Sequence, residues 1–96
     1  PLEGALAGAI YAMNNKDQSA FAQQAQMAYN DSKYQIVVND SRYELAMITS
    51  YFFGDSERAI QLLDDFLANA KPGDQYPPVF ALYRLAELNR ASCPLT

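Results

Sequence analysis

Only one stretch of this chain reads as a strand. Ile36, Val37 and Val38, within Tyr34–Asn39, are β-branched and suit a pleated surface. No second run of that kind exists to pair with them, and an unpaired strand leaves its backbone N–H and C=O groups without partners. The run therefore reads as an extended linker tucked against a core. The rest of the chain must satisfy its backbone within helices, so the predicted fold class is all-α.

Five helical stretches follow from apolar spacing and turn chemistry. The first runs from about Leu2 to Met13 and stops at Asn14-Asn15. The second starts after Asp17, a good N-cap, and ends near Tyr29, before Asn30-Asp31-Ser32. The third opens on Ser41 with Glu44 three residues on, the pattern of a capping box. It continues through Leu45, Met47, Ile48, Tyr51 and Phe52 to Gly54, which can close it in the left-handed conformation. Asp55 caps the fourth, whose stripe of Ala59, Leu63, Phe66 and Ala70 is widened by Ile60, Leu62 and Leu67. Lys71-Pro72-Gly73-Asp74 ends it. Pro77-Pro78 suits the first turn of the fifth, where a missing N–H costs nothing. That helix has a stripe of Val79, Leu82, Tyr83 and Ala86, with Leu85 and Leu88 beside it, and Cys93-Pro94 stops it. No long linker divides the chain, so residues 1–96 read as a single domain.

Composition excludes most chemistry. Half of the 96 residues are hydrophobic, enough for one core, and 19% are charged, below the level of a disordered acidic chain. Histidine is absent, which removes the commonest general base and metal ligand. The lone cysteine, Cys93, permits no intramolecular disulfide and no thiolate cluster. A net charge of −4 with no basic run argues against nucleic acid, whose binding needs clustered Lys and Arg. No apolar stretch reaches the roughly 18 to 20 residues of a membrane span. The chain begins at Pro1 without methionine, which predicts a processed protein or a piece of a longer one. The apolar opening lacks a basic leader region and has helix spacing, so it reads as structure rather than a targeting signal. A lone cysteine suits the cytoplasm and is compatible with the periplasm.

Helix pairs joined by tight turns invite a test for repetition. Leu6-Ala7-Gly8-Ala9-Ile10-Tyr11 leads through a turn to Asp17 and Ala20, and Leu45-Ala46-Met47-Ile48 leads through Gly54-Asp55 to Ala59, an offset of 39 residues. In this the chain resembles the tetratricopeptide repeat family, whose motif is about 34 residues of two antiparallel helices. In the first repeat Gly8 and Ala20 stand at the small positions and Tyr11 at the large aromatic one. In the second, Ala46 stands at the leucine position, Gly54 at the turn glycine and Ala59 at the second-helix alanine, with Pro72 one place past the closing proline. A small residue at a crossing lets two helix axes approach to roughly 8 to 9 Å. The opening tryptophan position holds Gly4 and Tyr43, Met47 replaces a small residue, and the second-helix aromatic is Gln24 and Leu63. The resemblance implies a short right-handed solenoid of stacked antiparallel helix pairs. Repeat one covers about 1–33, a linker 34–40, repeat two about 41–73, and a capping helix about 77–92. Two and a half repeats leave end faces exposed, which an oligomer, an obligate partner or further chain would cover.

The resemblance also implies a concave groove lined by the first helices of each pair. Ala9 and Met13, then Ile48, Tyr51 and Phe52, and finally Leu82 and Leu85 would face it. An apolar, aromatic groove suits a partner segment with hydrophobic anchors, while the same stripe is also what a helix core looks like. The family's charged version clamps an acidic carboxyl terminus with Lys and Asn, and here those positions hold Ala9, Ala12, Met13, Ile48 and Tyr51.

Other features have ordinary readings. Gly4 and Gly8 form a G-x-x-x-G that suits close helix packing. Asp64 and Asp65 point about 100° apart on a helix and cannot easily chelate one ion, so with Glu57 they read as a solvated face. Cys93 has no histidine to activate it. Lys71-Pro72-Gly73-Asp74 lacks the glycines of a phosphate-binding loop. The seven tyrosines suit either an interface or a core needing large amphipathic fillers.

The expectation is a non-enzymatic binding or assembly module, without cofactor or metal, that holds another protein in an apolar aromatic groove. Small proteins resembling this family serve as chaperones, scaffolds, and secretion or pilus assembly factors. The competing expectation is a helical structural subdomain of a larger regulator or assembly complex, with homo-oligomerisation a further way to cover its apolar faces.

Overall fold

The computed structural model describes residues 2–30 and 36–92. Every element among them is helical. The chain divides into two units, Pro1–Val37 and Val38–Thr96.

In the first unit, α1 (Leu2–Asn14) and α2 (Gln18–Asn30) pack on each other across a tight turn. α1 buries Leu2, Ala5, Leu6, Ala9 and Ala12, spaced as one helical face. α2 presents Ala25 and Ala28. The turn is a Schellman closure: Asp17 N–H donates to the Ala12 carbonyl at 2.9 Å and Lys16 N–H to that of Met13 at 3.1 Å. It forces Lys16 into the left-handed region at φ 56°. Asp17 then caps α2, its Oδ1 accepting from Ala20 N–H at 3.1 Å. A Cβ on Gly8 would come within 2.8 Å of the Gln24 side chain, so this glycine leaves room for Gln24 where the two helices meet.

In the second unit, α3 (Asn39–Met47) leads into a π-helical turn (Ile48–Phe52), then α4 (Ser56–Ala68) and α5 (Pro78–Ser92). α4 is central and packs against α3, the π turn and α5. It buries Ala59, Leu62, Leu63 and Phe66 against Leu45, Ala46 and Ile48 of the preceding elements and Ala81 and Leu88 of α5, all at 8% exposure or less. Each large side chain so buried contributes about 1.5–3 kcal/mol. Asp55 caps α4 as expected, accepting from Arg58 N–H at 3.2 Å. Gly54 is left-handed at φ 67°. Pro78 opens α5, with Phe80 N–H donating to the Pro77 carbonyl at 3.1 Å.

Three sequence expectations change here. The Ser41–Glu44 capping box does not form. α3 starts earlier, at Asn39 behind an extended Val38, with no side-chain cap. The polar side chains of its first turns hold the α4–α5 loop instead. Asn39, 4% exposed, donates through Nδ2 to the Phe66 carbonyl at 3.1 Å and to Asp74 Oδ2 at 3.0 Å. Asp40 accepts from Gln75 N–H through both oxygens at 3.1 Å, and Glu44 accepts from the Tyr76 hydroxyl at 2.6 Å. The third helix, expected to run through Phe52 to Gly54, widens after Met47. Phe53 N–H donates to the Ile48 carbonyl five residues back, at 3.3 Å. The fully buried Thr49 there has no hydrogen-bond partner for its hydroxyl among the described residues. On α5 the expected apolar stripe does not meet the core: Val79 is 60%, Leu82 55% and Tyr83 68% accessible, while Ala81 and Leu88 are buried. Of the expected linker, Ile36–Val38 belongs to neither helix nor strand, and Tyr34 and Gln35, like Cys93 and Pro94, lie outside the described residues.

Candidate functional site

The second unit contains an open groove of about 350 Å³ between α3 with its π turn and α5. One wall carries Tyr43, Met47 and Tyr51, spaced four residues apart and so aligned on one helical face. The other carries Val79, Phe80, Tyr83, Arg84 and Glu87, again at helical spacing. The rings are accessible: Tyr51 is 65% and Phe80 51% exposed.

The core and the loop set the shape of the groove. Tyr43 stacks on Tyr76 with ring centroids 4.6 Å apart and tilts against the buried Phe66 at 5.6 Å. Tyr76 is in turn anchored by its bond to Glu44. Burial raises the Glu44 carboxyl above the ordinary glutamate range, the bond from Tyr76 pulls it back, and nearby Asp40 adds to the rise. Burial, followed by donation to Glu44, carries the Tyr76 hydroxyl above the usual tyrosine range. Burial also raises Tyr43, with Tyr51 adding to the effect and Arg84 opposing it.

Arg84 joins the two walls. Its guanidinium lies 3.7 Å from the Tyr51 ring centroid, a cation–π contact. Nε donates to Ser50 Oγ at 3.3 Å and Nη1 to Glu87 Oε1 at 3.1 Å. The arginine side chain is 14% exposed and that of Glu87 39%. The result is a mostly apolar aromatic trough whose single cation is already paired.

Of the residues expected to face a partner, Tyr51 lines this groove. Phe52, 47% exposed, packs edge-on against Phe53 at 4.9 Å. Leu82 is exposed and Leu85 half-buried on α5, and Ile48 is buried in the core. Ala9 is buried and Met13 exposed on α1, in the other unit. Sequence reasoning missed Tyr43, Met47, Val79, Phe80, Tyr83, Arg84 and Glu87 as groove residues. The signal for most of them was the spacing Tyr43, Met47, Tyr51 on one helix and Phe80, Tyr83, Arg84, Glu87 on the other. Among the described residues no cluster of acidic or sulfur side chains could hold a metal ion, and no helix is long and apolar enough to cross a membrane. Comparison with family models, curated proteins and solved structures returns no match.

Proposed function

We propose that this protein is a non-catalytic interaction module that holds a segment of a partner protein in the aromatic groove between α3 and α5, in an assembly or chaperone role. The observation that carries this reading is the exposure of Tyr51, Phe80 and Tyr83 along one trough. Tyrosine offers a large, rigid contact surface with a polar tip, a combination favoured where one molecule meets another. Two helix pairs joined by short turns, followed by a fifth helix, are in keeping with a short tetratricopeptide-like solenoid. Affinity capture from the source cells, comparing wild type with a Tyr51→Ser/Phe52→Ser variant of unchanged helical circular dichroism, tests the reading. A partner held by the wild type alone supports it. Equal capture by both counts against it.

A second reading is a structural subdomain whose α5 packs on further protein. The outward stripe of Val79, Leu82 and Tyr83 favours it. In that case a Leu82→Ser/Tyr83→Ser change disrupts a larger assembly, and Tyr51 substitutions leave it intact.

A further inference from the structure

We infer that the segment taken by this groove carries a basic side chain flanked by apolar residues, seated over the free rings of Tyr83 and Phe80 and paired with Glu87. The inference rests on the groove reading above and names the chemistry of its occupant.

Three observations carry it. The groove walls already hold a guanidinium on an aromatic face, since Arg84 lies 3.7 Å from the Tyr51 ring centroid. The negative faces of aromatic rings attract such a cation. The neighbouring rings of Tyr83 and Phe80, 68% and 51% exposed, offer the same kind of surface unoccupied by Arg84. Glu87 supplies the countercharge. Its Oε1 accepts from Arg84, while Oε2 has no hydrogen-bond partner among the described residues, on a side chain 39% exposed. A carboxylate accepts from two donors at once, so a guest cation need not displace Arg84. Repulsion from Arg84 is offset by its ion pair with Glu87, at 3.1 Å.

Charge over the whole unit points the same way. Residues 38–96 carry eight carboxylates against five basic side chains, a net charge of −3. Such a field draws basic segments in and turns acidic ones away. Apolar flanks follow from Met47 and Val79, which leave little for a polar neighbour to bond.

The test uses the full chain and three synthetic peptides of alternating leucine and proline. They are identical except for a central arginine, glutamine or glutamate. Binding is read from the ring resonances of Tyr51 and Tyr83. The arginine peptide is expected to bind about fivefold tighter than the glutamine peptide at low salt, with the gap closing as salt rises. Glu87→Gln is expected to bring the two peptides within about twofold of each other. Equal binding of all three peptides at these tyrosines overturns the charge preference and leaves the groove reading standing. Tightest binding of the glutamate peptide also overturns it, assigning recognition to Arg84. If no peptide moves either ring, the groove reading fails with it.

Discussion

Two of the described residues, Lys16 and Thr49, hold conformations or environments that cost stability, and each gives a direct test. Lys16 is left-handed because the Schellman closure between α1 and α2 needs that geometry, a position where glycine carries no steric penalty. Lys16→Gly is expected to stabilise the protein by about 1 kcal/mol, seen as a higher thermal midpoint. A lower midpoint would show that the lysine side chain makes a contribution larger than the strain. Thr49 buries a hydroxyl with no partner among the described residues. Thr49→Val removes that oxygen at nearly constant shape, and urea unfolding is expected to show a gain of about 1 kcal/mol. At this scale some features were legible and others were not. Asp17 and Asp55 cap their helices as their chemistry requires, because capping is local. Ser41 and Glu44 carry an equally good local signal, but Asn39, Asp40 and Glu44 bond to a loop some 30 residues away, and no spacing rule can see that.

At the scale of elements, the α4–α5 loop is held to α3 by carboxylates whose titrations act in opposite directions. The Glu44 carboxyl is raised in the folded protein, so its contribution to stability is fully present below the unfolded value and is lost as pH rises through the folded one. Asp74 is lowered, first by its bond from Asn39, so its contribution is present above the unfolded value and is lost as pH falls through the folded one. Tyr76→Phe removes the donor that offsets the burial of Glu44. It is expected to cost about 1 kcal/mol near neutral pH, allowing for solvent screening, and less near pH ~4, where Glu44 is largely protonated. Urea unfolding at both pH values measures this, and an equal loss at each would remove Glu44 from the account. Leu63→Ala empties a fully buried site on α4 and is expected to cost about 2–5 kcal/mol. The α4 stripe was legible because one helix buried on one side concentrates its apolar residues there. α5 misled because its apolar residues fall on both sides: the small Ala81 meets the core, while Val79, Leu82 and Tyr83 stay accessible.

For the whole molecule, the all-helical class followed from the absence of a partner for Ile36–Val38, and among the described residues five α-helices are present, with the third giving way to a π turn after Met47. The groove was legible only in kind. Tyr51 and an aromatic surface were expected, but the residues opposite it come from α5, and their meeting depends on how α4 separates the two walls. The account's central claim is that a partner seats in this groove. Photo-crosslinking in source cells tests it most directly, with a benzophenone side chain placed at Tyr83 in the groove or at Asp64 on the solvated part of α4. The account predicts a discrete protein adduct from position 83 and none from position 64. Adducts of equal yield from both positions, or from position 64 alone, would contradict it.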